Sequence, residues 1–162
     1  MVRAPSQPPL HAEGRPRHLL LFDGVCGLCA WLVQFVLTRD AEGIFHFAAL
    51  SSPEGRTIVA RHGGDPDDVS TVYVVANYLT PDARPLVRSR AALFVAGALG
   101  WPWKAATVVG ALPTALLDRV YDFVARNRYR VFGRREQCLM PRPEWRDRFI
   151  DARPPIGDFA GD

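Results

Sequence analysis

HLLLFDGVCGLCAWLVQFVL, residues 18–37, joins two apolar runs of different period, with a pair of cysteines at the joint. His18 to Phe22 is short and continuous, the pattern of a strand buried on both faces. Leu28, Trp31, Leu32, Phe35 and Val36 then recur at helical spacing, and the Asp40–Gly43 turn predicts where that helix stops. Cys26 and Cys29 therefore fall where a strand gives way to a helix. On their own they have three readings: a redox pair, half of a metal site, or small residues filling a core.

The rest of the chain supplies the context. Ile44–Ala48 reads as a second strand, and Ser52–Pro53 as a helix start with a side-chain cap and a proline at the first helical position. Gly63–Gly64 ends that helix. Thr71–Ala76, TVYVVA, is β-branched and aromatic and predicts a strand, with Pro85–Arg88 as its hairpin partner at a sheet edge. Ser89 is placed to cap a helix that Gly100 terminates. Two more helices are expected, a short one over Lys104–Ala111 and one capped by Thr114 that carries Leu116, Leu117, Val120, Tyr121 and Val124 on one side. Trp101 and Trp103 are expected to plug the core between helices.

The resulting order, β-α-β-α-β-β-α with additional C-terminal helices, is that of an α/β thioredoxin-like sandwich. A Cys-x-x-Cys at the head of the first helix reads there as redox rather than zinc. Cys26 would lie at the helix edge, exposed to unpaired backbone N–H groups and the positive end of the dipole, which favour the thiolate. A free thiol of pKa ~8.5 is only slightly ionised at neutral pH, so such a shift decides reactivity. Cys29, one turn inside, would be less exposed and would resolve the mixed disulfide. Gly24 and Gly27 keep the approach open. Asp23 has two readings, a proton acceptor when Cys29 attacks or a cap on the loop.

Composition sets the outer limits. The chain has 162 residues, 48% of them hydrophobic, which suits one domain with a sizeable core. Three cysteines are too few for a disulfide scaffold and point to a reducing, cytoplasmic setting. Residues 1–17 are proline-rich and lack an apolar signal region, so a disordered tail is expected before a domain spanning 18–150, with a loose tail over 151–162. Pro102, Lys104 and Pro113 interrupt the apolar stretch Ala91–Leu117, so no membrane span is expected. The formal charge is +3, yet arginines 119, 126, 128, 130, 134, 135, 142, 146 and 148 gather near the C-terminus. They suit a solvated helix face or an anionic partner, and no known nucleic-acid module accompanies them.

FDGVCGLC resembles the Asp-Gly-x-Cys-x-x-Cys signature of the DCC family of thiol-disulfide oxidoreductases. The resemblance runs from His18 to Pro141 and takes in Ser89–Arg90–Ala91, Leu99–Gly100–Trp101 and YDFVARNRYRVFGRREQC. It implies a thioredoxin-like fold and dithiol-disulfide exchange, with Cys26 and Cys29 on the redox pair. Thioredoxins carry a cis-proline before the third strand; here Asp68–Val69–Ser70 takes that place, and Ser70 offers a hydroxyl instead. Ser70, Gly24, and one of Arg126 or Arg128 are thus candidates for the substrate groove. The expected partners are a disulfide-containing protein or small thiol, and an external thiol reductant or reductase, with neither cofactor nor metal. The competing readings are zinc held by Cys26, Cys29, Cys138 and one histidine, or an interaction module for an anionic partner.

Overall fold

The computed structural model describes residues 17–78, 80–134 and 142–151. The expected terminal tails, apart from Arg17 and Asp151, and Cys138 lie outside these residues. The elements in chain order are β1 (Arg17–Phe22), α1 (Gly27–Arg39), β2 (Phe45–Ala49), α2 (Pro53–Arg61), β3 (Tyr73–Tyr78), β4 (Arg84–Val87), α3 (Arg88–Ala98) and α4 (Thr114–Phe132). Two 3₁₀ helices, Trp103–Ala111 and Pro143–Arg148, flank α4. The strands form one sheet in the order β2-β1-β3-β4. β1 runs parallel to β2 and antiparallel to β3, and β3 runs antiparallel to β4.

Two cores follow from the two-residue period of the strands. Leu20, Phe22, Phe45, Phe47 and Val74 face α1 and α3, where Val33, Val36, Ala91 and Val95 meet them. Leu19, Leu21, Ala48 and Val75 face the other way, onto Ile58 and Val59 of α2. β1 is covered on both faces, which is why its apolar run is unbroken.

α2 starts as its sequence predicts, with Pro53 first and Ser52 Oγ accepting from the Gly55 N–H at 3.0 Å. Elsewhere the boundaries move. β3 begins at Tyr73 rather than Thr71, because the backbone just before it bonds to α4: the Val72 N–H donates to Tyr121 Oη at 2.9 Å, and the carbonyls of Val69 and Ser70 accept from Arg128. α3 begins at Arg88, and Ser89 is no cap: its hydroxyl donates to Asp118 of α4. Thr114 does not cap α4 either; Pro113 holds that position without a side-chain bond.

The inward stripe of α4 corrects the sequence pattern most. It runs through Leu117, Tyr121, Ala125 and Arg128, at intervals of four, four and three. Leu116, Val120 and Val124 are exposed instead. One inward position is a charge, so hydrophobicity alone places the stripe one residue off. Trp103 packs edge-to-face on Phe35 at 4.7 Å, but Trp101 is 82% exposed and plugs nothing.

After the second 3₁₀ helix the chain returns to the free side of β2. Phe149 bridges Phe47 in parallel and is buried beside it, and the Ile150 N–H donates to the Phe47 carbonyl at 3.0 Å. Asp151 Oδ2 accepts from the Ala49 N–H at 2.6 Å. Arg148 donates to the Phe45 carbonyl and pairs with Asp40, whose carboxylate also accepts from the N–H groups of Ile44 and Phe45.

Candidate functional site

The site grows from the turn between β1 and α1. Asp23 Oδ1 accepts from the Val25 N–H at 3.1 Å, and the Asp23 carbonyl accepts from Cys26 at 3.3 Å, which tightens the buried loop through Gly24. Cys26 is extended (φ −82°, ψ 125°) and stands immediately before the first helical residue. Its carbonyl accepts from Ala30 at 3.0 Å, the first helical bond of α1. Cys29 sits within that first turn.

Exposure at the helix edge is not what the structure gives Cys26. It has no solvent-accessible surface, and Cys29 is only 3% exposed. The C-terminal end of α4 abuts the N-terminal end of α1. The Gly27 N–H donates to the Gly133 carbonyl at 3.3 Å, and Cys26 forms an antiparallel bridge with Arg134. A Cβ at residue 27 would stand 2.3 Å from the Phe132 carbonyl oxygen, so only glycine permits this approach. The meeting of ends takes up one N–H that would otherwise face a thiolate and sets the carbonyl pole of one helix against the amino pole of the other.

Cys29 keeps its proton tightly. Burial pushes its thiol up to about 12, and the charge of Cys26 and a hydrogen bond to it act in the same direction. A backbone hydrogen bond at Asp23 and the charge of Arg128 oppose them.

Beneath the pair lies a buried ion pair. Asp23 and Arg128 side chains are 7% and 5% exposed, with Arg128 Nη2 at 3.1 Å from Asp23 Oδ2. Arg128 also donates to the carbonyls of Ser70 at 2.7 Å and Val69 at 3.0 Å. Tyr129 donates its hydroxyl proton to the same Asp23 oxygen and accepts from Arg128 at 3.0 Å. Its phenol is raised above the ordinary range by burial and then by the bond to Asp23, which keeps it a donor. Arg128 Nε has no partner among the described residues. Against the wall of Cys29 opens a cleft of 130 Å³ lined by Leu28, Trp31, Leu32, Tyr121, Val124 and Arg128.

The sequence candidates thus divide. Cys26, Cys29, Asp23, Gly24 and Arg128 come together. Ser70 comes near through its carbonyl only; its hydroxyl is turned to Asp68. Arg126 is exposed on another side of α4. Tyr129 had no predicted role, since adjacent helical positions diverge by about 100° and nothing in RNRY says that both Arg128 and Tyr129 reach one carboxylate. Among the described residues no three His, Cys, Asp or Glu side chains cluster as metal ligands.

A sheet of order 2-1-3-4 with Cys-x-x-Cys at the head of its first helix defines a thioredoxin-like α/β protein. Residues 20–134 match the DCC1-like thiol-disulfide oxidoreductase family, and the chain belongs to it. It is 34% identical to the uncharacterized protein YuxK of Bacillus subtilis (strain 168) over 139 residues, covering 86% of this chain and 98% of that one. It is 37% identical to the DCC family protein At1g52590, chloroplastic, of Arabidopsis thaliana over 127 residues, 78% of this chain and 71% of that one. No solved structure matches. No helix among the described residues is long and apolar enough to cross a membrane.

Proposed function

We propose that Cys26 and Cys29 exchange two electrons with disulfide substrates, Cys26 attacking and Cys29 resolving. The observation that carries this reading is the pair of free thiols at the head of α1, Cys26 just ahead of the first helical residue and Cys29 buried within the first turn, where burial holds its proton. Cys26, as thiolate, attacks one sulfur of a substrate disulfide; a mixed disulfide forms and the other substrate sulfur leaves as thiolate. Cys29 then gives up its proton and attacks the Cys26 sulfur. The Cys26–Cys29 disulfide forms, and the second substrate sulfur leaves and is protonated. The substrate gains two electrons and the pair loses them, to be restored by an external thiol or reductase.

Asp23 acts here as a positioning residue. Both its oxygens are engaged, one on the loop and one on Arg128 and Tyr129, so it holds the turn that carries Cys26. Arg128 ties the same turn to the Val69–Ser70 segment, the place of the missing cis-proline. A reducing compartment such as the cytoplasm suits the cycle.

The test is intact mass after thiol alkylation across a graded redox buffer. Cys26 and Cys29 should become protected together at one midpoint. Cys26→Ser should abolish disulfide turnover, and Cys29→Ser should accumulate mixed disulfides. Normal turnover by Cys26→Ser would sink the proposal.

A further inference from the structure

Among the described residues the outer face of α4 has no partner, and we propose that this face docks on an anionic membrane surface. Leu116, Val120, Phe123 and Val131 form one exposed apolar stripe along α4; Val108 of the preceding 3₁₀ helix and Leu112 just after it are exposed as well. Phe123 is 69% exposed, Val131 71% and Val108 74%. Isolated exposed hydrophobic residues are ordinary, but a contiguous stripe of this kind marks an interaction surface.

Charge identifies the occupant. Arg119, Arg126 and Arg130 are separated by seven and four residues, so they stand above one another on a single flank of the stripe. All three are exposed, and none forms an ion pair among the described residues. Of the acids of α4, Asp118 accepts from Ser89, and Asp122, which stands at helical spacing between Arg119 and Arg126, lies 3.9 Å from Arg88; Arg130 has no acid three or four residues away on α4. A helix with an apolar stripe and an arginine flank is the pattern of one lying in the interfacial plane, its apolar face sunk ~5–10 Å. A second copy packed on the same face would have to bury these unpaired arginines close to its own, whereas anionic headgroups neutralise them. Trp31 and Trp101, 58% and 82% exposed, are of the type that anchors at headgroup level. Trp31 and Val124 also line the cleft beside Cys29, so docking would open that cleft toward the lipid.

This surface stands independently of the thiol chemistry, and its test uses the full chain without turnover. Flotation is measured with vesicles of phosphatidylcholine alone and of phosphatidylcholine mixed with phosphatidylglycerol. The protein should float with the mixed vesicles only, shift its tryptophan emission to the blue, and be released by added salt. Arg119→Gln with Arg130→Gln should lower the partition coefficient roughly thirtyfold. Phe123→Asp should remove binding while leaving the thermal midpoint unchanged, since Phe123 supports no core. Failure to bind the anionic vesicles at low salt overturns the proposal, whether the protein is then monomeric or self-associated. Equal binding to both vesicle types, unaffected by the arginine changes, overturns it as well.

Discussion

On the proposed exchange, Cys29 would link the oxidation state of the pair to pH. A thiol whose folded pKa lies above its ordinary value favours the native state while both forms keep the proton. That contribution is lost as pH rises from 9.0 to about 12. Tyr73, Tyr78, Tyr121 and Tyr129 are also raised, chiefly by burial; of these only Tyr121 feels the charge of Cys29, which raises it further and so acts in the same direction as Cys29 itself. Denaturant midpoints at about pH 8 and about pH 10 should therefore fall more for reduced than for oxidised protein. Cys29→Ala should lose no more over this interval than the oxidised protein does, and equal falls in the reduced and oxidised wild type would refute this reading. Arg128 carries the second prediction at this scale. Removing it strands Asp23 in the interior and frees two loop carbonyls, so Arg128→Ala should cost about 3–5 kcal/mol in denaturation. Tyr129→Phe, which leaves the ion pair but removes a bond to each of its charges, should cost about 1.5–3 kcal/mol. Of these residues, the cysteines and Asp23 were legible because strand, turn and helix head are contiguous in sequence. Tyr129 was not, because its bond to Asp23 spans 106 positions and depends on how α4 is rotated.

The fit between elements turns on the contact of α1 with α4. Gly27→Ala places a methyl against the Phe132 carbonyl, and backbone cannot yield as a flexible side chain would. The helix ends must part, at a cost of about 1–3 kcal/mol. The same parting should uncover Cys26, so its alkylation at fixed pH should quicken while the thermal midpoint falls. A variant that melts lower yet alkylates no faster would show that α4 is not what shields the thiol. Sequence patterns predict every strand, α1 to α4 and the first 3₁₀ helix, but neither the 3₁₀ helix Pro143–Arg148 nor this arrangement. Val120 and Val124 belong to a good apolar stripe, yet Arg128 is drawn inward by Asp23 and fixes the rotation of α4. Likewise β3 starts late because α4 supplies partners for the backbone that leads into it. Periodicity is a local quantity, and these contacts connect segments tens of residues apart.

At the scale of the molecule, the C-terminal return decides how the sheet is finished. Phe149 is 1% exposed and packs on Phe22 and Phe47. Phe149→Ala should lower unfolding free energy by about 3–5 kcal/mol, the range for an aromatic removed from a core. Little loss in a denaturant titration would mean that the return segment adds nothing to the fold. Sequence gave no sign of this docking, since Phe149 follows a run of charges and prolines with no period of its own. Its consequence concerns how partners can approach. The carbonyls of Phe45 and Phe47 and the Ala49 N–H are already bonded to the returning chain, the Phe45 N–H is held by Asp40, and β4 at the opposite margin contains Pro85, which lacks a donor. Along β2, an incoming peptide finds no row of vacant amides on which to add itself as a fifth strand, and neither does another copy seeking to stack into a fibril. Discrimination among partners must then be made by side chains around the helix ends, where shape and charge, rather than backbone pairing, decide what is admitted.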